Sequence, residues 1–136
     1  MAIRIRFIEQ PDSSAKDIAV GEIAVNGFRE RLEIPLGFWT RQDYERQWKE
    51  GIDRIKNQSC EKSCLITARY DPAHANFIVW WPIYRVLDRL VVQHEYLFLD
   101  QLERPFDPVE PYSYIGTRQV SSSSGEPVSE WEVTES

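Results

Sequence analysis

The sequence predicts an α+β domain: mostly antiparallel sheet, about seven strands, carrying one long amphipathic helix. Three observations predict it. Several short runs alternate apolar and polar residues with the period of a half-buried strand. One stretch, residues 40–57, repeats its apolar residues with the period of a helix. Asn26-Gly27 joins two strand-like runs, and this pair favours the tight type I′ turn that makes neighbours antiparallel.

The elements follow in order. Residues 3–8 alternate Ile, Arg, Ile, Arg, Phe, Ile, and Pro11-Asp12-Ser13-Ser14 breaks the run. Residues 18–25 form a second strand and 28–34 a third, with Phe28, Leu32 and Ile34 set against Arg29, Arg31 and Glu33, until Pro35 stops it. Thr40 is a good helix N-cap, and Asp43 three residues on completes a weak capping box. Tyr44, Trp48, Ile52 and Ile55 then share one helix face, while Arg41, Glu45, Arg46, Lys49, Glu50, Asp53, Arg54 and Lys56 occupy the rest.

Residues 63–70 and 77–85 read as consecutive strands joined by 71–76. Both faces of the second are apolar, so it is expected to be covered on both sides. Its Pro82 has no N–H for a ladder and predicts an edge position or a bulge. Leu87-Asp88 makes a tight turn into a strand at 90–93. Residues 94–102 fit either a bent strand or a turn followed by helix. Three prolines exclude regular structure from 104–112, which Phe106 and Tyr112 are expected to pin down. Residues 112–120 and 128–133 are expected to pair as a hairpin around Ser121-Ser122-Ser123-Ser124-Gly125, with a short disordered tail from about residue 134.

Size and composition suit a single domain over residues 1–136. Five Trp, six Tyr and six Phe can fill a core, and no apolar run approaches the roughly 20 residues of a membrane span. Arginines interrupt the apolar N-terminus, so no signal-peptide h-region is read there and a cytoplasmic location is expected. The net charge of -6 is unevenly placed. Residues 1–94 hold 14 basic and 13 acidic side chains, whereas residues 95–136 hold 2 and 9. The acidity therefore belongs to the last third. It argues against a broad phosphate-binding surface and favours a basic partner.

Motifs for chemistry are sparse. Cys60 and Cys64 with His74 and His94 match no common zinc spacing and no nucleophile motif. There is no P-loop, dinucleotide fingerprint or nucleophile elbow. The acidic pairs Asp100/Glu103 and Glu130/Glu132 read as solvated carboxylates rather than an acid–base pair. Trp80-Trp81 offers a base-stacking platform on paper, the basis of an alternative reading as a single-stranded nucleic-acid-binding module. Adjacent residues on a strand point to opposite faces, which favours core packing instead. No catalytic residue, cofactor or metal is expected.

Several fragments, in order, resemble one family: Ile34-Pro35-Leu36-Gly37-Phe38-Trp39 leading to Tyr44 and Trp48; Tyr70-Asp71-Pro72 with Asn76-Phe77-Ile78; Trp81 with Tyr84; Phe98-Leu99-Asp100; Phe106-Asp107-Pro108; and Gly125 with Val128-Ser129-Glu130-Trp131. Over residues 25–133 the chain resembles immunity proteins of bacterial contact-dependent growth inhibition systems. The first 24 residues lie outside the resemblance. It implies a fold similar to the Whirly single-strand-binding fold. It also implies a cytoplasmic protein that binds the C-terminal toxin domain of a secreted effector, in the most similar members a ribosomal-RNA nuclease. A nuclease is basic where it grips phosphates, so an acidic inhibitor surface mimics substrate charge without catalysis. On that basis Asp100, Glu103, Asp107, Glu110, Glu126, Glu130 and Glu132 are the expected toxin-binding carboxylates, with Tyr112 and Tyr114 as interface anchors.

Overall fold

A computed structural model of the chain describes residues 3–8, 18–57, 60–119 and 129–134. The amino-terminal sheet is a meander of β1 (Ile3–Ile8), β2 (Ile18–Val25) and β3 (Phe28–Pro35), in the order β1-β2-β3. Asn26 takes a φ of 56° in the β2–β3 turn, the left-handed geometry its Asn-Gly sequence predicts. Ile3, Ile23, Val25, Leu32 and Ile34 point into the core, while Arg4, Arg6, Arg29 and Arg31 remain exposed.

The larger sheet holds β4 (Lys62–Arg69), β5 (Phe77–Val86), β6 (Arg89–Gln93), β7 (Glu95–Phe98) and β8 (Glu130–Thr134). All its pairings are antiparallel, in the order β4-β5-β6-β8, with β7 also on β5. Strand β5 is central rather than an edge. Ile83↔Val92 and Trp80↔Glu95 keep one register, so β6 and β7 are a single strand broken opposite Trp81 and Pro82. The missing proline N–H interrupts the ladder at that point without displacing the strand to an edge. The β4–β5 irregularity lies elsewhere, between Ile66 and Ala68.

Helix α1 (Arg41–Asn57) starts with a reciprocal capping box. The Thr40 N–H donates to Asp43 Oδ2 at 2.9 Å, and the Asp43 N–H donates to Thr40 Oγ1 at 3.2 Å. The bond from the Thr40 N–H is the main reason the Asp43 carboxyl lies below its usual range; the Thr40 hydroxyl and Arg46 act in the same direction, against desolvation. Tyr44, Trp48 and Ile55 are buried and Ile52 partly so, as their spacing predicts. Phe7 of β1 packs on Trp48, ring centroids 4.9 Å apart, and ties the first sheet to the helix.

The helix also closes the open edge of β4. Gln47 Nε2 donates to Cys64 O at 2.8 Å, and its Oε1 accepts the Ile66 N–H at 2.8 Å. Trp48 Nε1 donates to Ile66 O at 2.7 Å, and Ser63 Oγ donates to Gly51 O at 2.7 Å. Tyr44 donates its hydroxyl to Pro35 O at 2.6 Å and accepts the Arg69 N–H at 3.0 Å. Side chains here occupy the place of a neighbouring strand, which satisfies an edge that would otherwise invite another chain. Gly51 allows the approach: a Cβ there would lie 2.4 Å from Cys64 O.

Both Trp80 and Trp81 are core residues, 1% and 0% exposed. Trp81 stacks on His94 with ring centroids 4.4 Å apart and lies 5.3 Å from Trp131. Trp131 in turn stacks on Phe28 at 4.3 Å, which joins the two sheets.

Over its described residues, 112–119, the strand expected at 112–120 does not form. Pro111–Tyr114 is a 3-10 turn, and β8 pairs with β6 instead. Tyr112 and Ile115, three residues apart, are the buried pair, which matches a tight helical turn and not a strand. Residues 94–102 resolve as strand β7 followed by a 3-10 turn at Leu99–Gln101. The Ser121–Gly125 loop lies outside the described residues, as does the expected tail beyond Thr134, itself the last residue of β8.

Candidate functional site

The acidic residues of the last third divide by what they touch. Glu130 and Glu132 stand on one side of β8, and both are committed within the chain. Glu130 takes a two-pronged contact from Arg118 at 2.8 and 2.7 Å and a third bond from Gln93 Nε2 at 2.9 Å. The Arg118 bond is the main reason its carboxyl is held below the ordinary range. Glu132 pairs with Arg89 at 3.0 Å. Glu126 lies outside the described residues.

Asp100, Glu103, Asp107 and Glu110 form a different set. They follow β7 on an exposed segment that Arg104 alone relieves of negative charge. None of the four is in an ion pair among the described residues. Asp100 sits on the 3-10 turn that the Leu99 N–H fixes to Asn76 O at 2.8 Å. Asp107 Oδ1 accepts the Val109 N–H at 2.9 Å, an Asx turn that shapes the tip of the loop.

Tyr114 ties this segment together. Its hydroxyl donates to Pro105 O at 2.6 Å and accepts the Asp107 N–H at 2.8 Å, and its ring packs on Phe106 at 4.9 Å. Arg104 lies 4.4 Å over the same ring and bonds Ser113 Oγ at 2.9 Å. Tyr114 is therefore a half-buried brace for the carboxylates. Tyr112 belongs to the core: it is 6% exposed, its hydroxyl accepts from Gln47 at 3.4 Å, and Arg54 covers its ring at 4.0 Å. Burial removes it from the surface where the sequence reading placed an anchor.

A groove of about 370 Å³ runs between this loop and helix α1, lined by Trp39, Asp43, Gln47, Glu50, Pro108 and Val109 among others. Val109 is 75% exposed, an apolar side chain at the tip of an acidic loop. Glu50 adds a carboxylate from the helix. Sequence reasoning missed both, since Val109 sits in a proline-rich run and Glu50 reads as ordinary solvated helix surface.

Among the described residues no group of three or more His, Cys, Asp or Glu side chains has metal-binding geometry. Cys64 is buried and uncrosslinked, with burial pushing its thiol pKa up. His74 is exposed in the β4–β5 connection, away from the Trp81–His94 stack. No described helix is long and apolar enough to cross a membrane.

Comparison with known proteins places this architecture. The family described as the CdiI N-terminal domain matches residues 34–136. The immunity protein CdiI of Enterobacter cloacae subsp. cloacae is 29% identical over 110 residues, spanning 80% of this chain and 74% of that protein. A chain of the CdiA-CT/CdiI toxin and immunity complex from Enterobacter cloacae superposes with a TM-score of 0.79 at 26% identity. That match covers 97% of this chain and 90% of the other, so the likeness extends beyond residues 34–136 into the amino-terminal sheet. With one α-helix and two antiparallel sheets among the described residues and a match over most of its length, the chain belongs to the CdiI N-terminal domain family.

Proposed function

We propose that this chain is an immunity protein that binds the C-terminal toxin domain of a contact-dependent growth inhibition effector and neutralises it. The toxin on this reading is a basic nuclease, and the chain covers its active-site region in the cytoplasm, without catalysis, cofactor or nucleic acid of its own. The carrying observation is the set of four exposed carboxylates, Asp100, Glu103, Asp107 and Glu110, outside any ion pair among the described residues and held on a braced loop. Uncompensated charge on a fixed scaffold attracts and orients a basic partner, and it costs little to reorganise on binding. Val109 and the groove beside α1 supply apolar contact next to that charge. Glu130 and Glu132, already neutralised by Arg118 and Arg89, contribute less. The alternative, single-strand binding through Trp80 and Trp81, loses support because both rings are buried.

The test is co-expression with the toxin domain encoded beside this chain. Wild type restores growth. A quadruple variant, Asp100→Asn, Glu103→Gln, Asp107→Asn and Glu110→Gln, keeps the fold by circular dichroism and protects poorly. Failure of folded wild type to protect would overturn the immunity role for that pair. Full protection by the quadruple variant would overturn the placement of the interface.

A further inference from the structure

A cavity lies elsewhere, between the end of β3 with its following connection and the end of β4 with the turn into β5. Its volume is about 670 Å³, and Pro35, Phe38, Tyr70 and Phe77 give it apolar and aromatic walls. Arg69, the last residue of β4, also lines it and is only 5% exposed. Its Nε and Nη1 are buried without any hydrogen-bond partner, and no carboxylate pairs with it among the described residues. Its guanidinium carbon lies 5.0 Å from the ring centroids of both Phe38 and Phe106.

Two aromatic faces offset part of the cost of burying a guanidinium, but they do not satisfy its N–H donors. A planar fork of donors beside an apolar cavity is complementary to a carboxylate on an apolar stem. Glu33 and Asp71 also line the cavity, and Asp71 Oδ1 is occupied by the Ala73 N–H at 2.9 Å. Their charge disfavours a multiply charged anion, which selects a monocarboxylate over phosphate.

The geometry points to a binding site for a monocarboxylate: Arg69 receives the carboxylate, and Phe38, Tyr70 and Phe77 enclose its apolar or aromatic body. The ligand is a free organic acid or a carboxylate presented by a protein partner. Phe106 of the acidic loop covers one face of Arg69, but none of that loop's four carboxylates lines the cavity, so the site does not depend on their role.

The test titrates 3-phenylpropionate, its amide and inorganic phosphate into the purified full chain, following arginine Nε–H and tryptophan indole signals by NMR. The acid binds saturably, and the amide and phosphate bind at least about tenfold more weakly, the scale of a lost charge-assisted hydrogen bond. Arg69→Gln costs the acid a similar factor. Because a buried arginine can be needed for folding, Gly37→Phe provides a second variant. A Cβ at Gly37, which lines the cavity, meets nothing within 4 Å, so the added ring fills the mouth without a backbone clash and abolishes binding. Equal binding of acid and amide, unchanged binding in Gly37→Phe, or no saturable binding to wild type would each overturn the site. Repeating the titration with the toxin domain bound assigns the source. Displacement of the probe supports a partner's carboxylate, and retention supports a free acid.

Discussion

Gly51→Ala reverses the sign that helix propensity alone would give. In an exposed helix interior the change stabilises by about 1 kcal/mol, because glycine loses more backbone entropy on folding. Here the new Cβ would stand 2.4 Å from the backbone oxygen of Cys64 and 3.2 Å from Leu65 Cδ2. A backbone atom of a paired strand cannot swing aside as a side chain can, so the helix must lift from β4. Lifting stretches the bonds from Gln47 to Cys64 O and from Ser63 to Gly51 O, both 2.7–2.8 Å. Overpacking of this kind costs about 1–3 kcal/mol, and each buried hydrogen bond weakened adds about 1 kcal/mol. After the propensity gain the net loss is about 2–4 kcal/mol, or a Tm lower by about 7–14 °C for a domain of this size. Urea melts and calorimetry on the variant measure it, with Gly37→Ala as the control because its Cβ meets open space. A Gly51→Ala protein as stable as wild type, or more so, would refute the close seating of α1 on the β4 edge.

Three further outcomes follow from the same contacts. Tyr44→Phe removes the hydroxyl shared by Pro35 O and Arg69 N–H and costs about 1–3 kcal/mol in urea unfolding, with the Arg69 amide gaining hydrogen exchange. Leu87 is 87% exposed at a φ of 58°, so Leu87→Asn relieves left-handed strain and stabilises by about 0.5–1 kcal/mol in the same assay. Desolvation raises the Glu95 carboxyl above its ordinary value, against a weaker opposing bond from Trp80. Folding thus favours the protonated form, and its benefit is lost as pH rises from the unfolded value through the folded value. Glu95→Gln should exceed wild type in stability at pH 7, with the gap closing below the unfolded pKa of about 4.3.

Local periodicity made most of the fold legible. Alternation and apolar runs bounded by turn residues located β1 to β6, Asn26-Gly27 located the β2–β3 hairpin, and the Thr40–Asp43 pair located the start of α1. What sequence could not show was partnership at a distance. Gln47 looks like helix surface, yet it is buried because β4 presents unpaired backbone groups beside it. Residues 112–115 resemble a strand in composition, but Pro111 and the bonds from Tyr114 to Pro105 and Asp107 wind them into a turn. The acidic excess was visible as a count. Its division into the Arg118- and Arg89-bound carboxylates of β8 and the exposed set before Pro111 depends on cross-strand neighbours that no local pattern encodes.

Stopped-flow association of the chain with its toxin domain, across ionic strength, tests the acidic-loop assignment most directly. Charge steering predicts a fast rate at low salt that falls steeply as the Debye length shrinks to about 8 Å near physiological salt. Neutralising Asp100, Glu103, Asp107 and Glu110 together should slow low-salt association at least about tenfold and flatten its salt dependence. Glu130→Gln with Glu132→Gln should change both little. Equal rates and equal salt slopes for wild type and the quadruple variant would contradict the account.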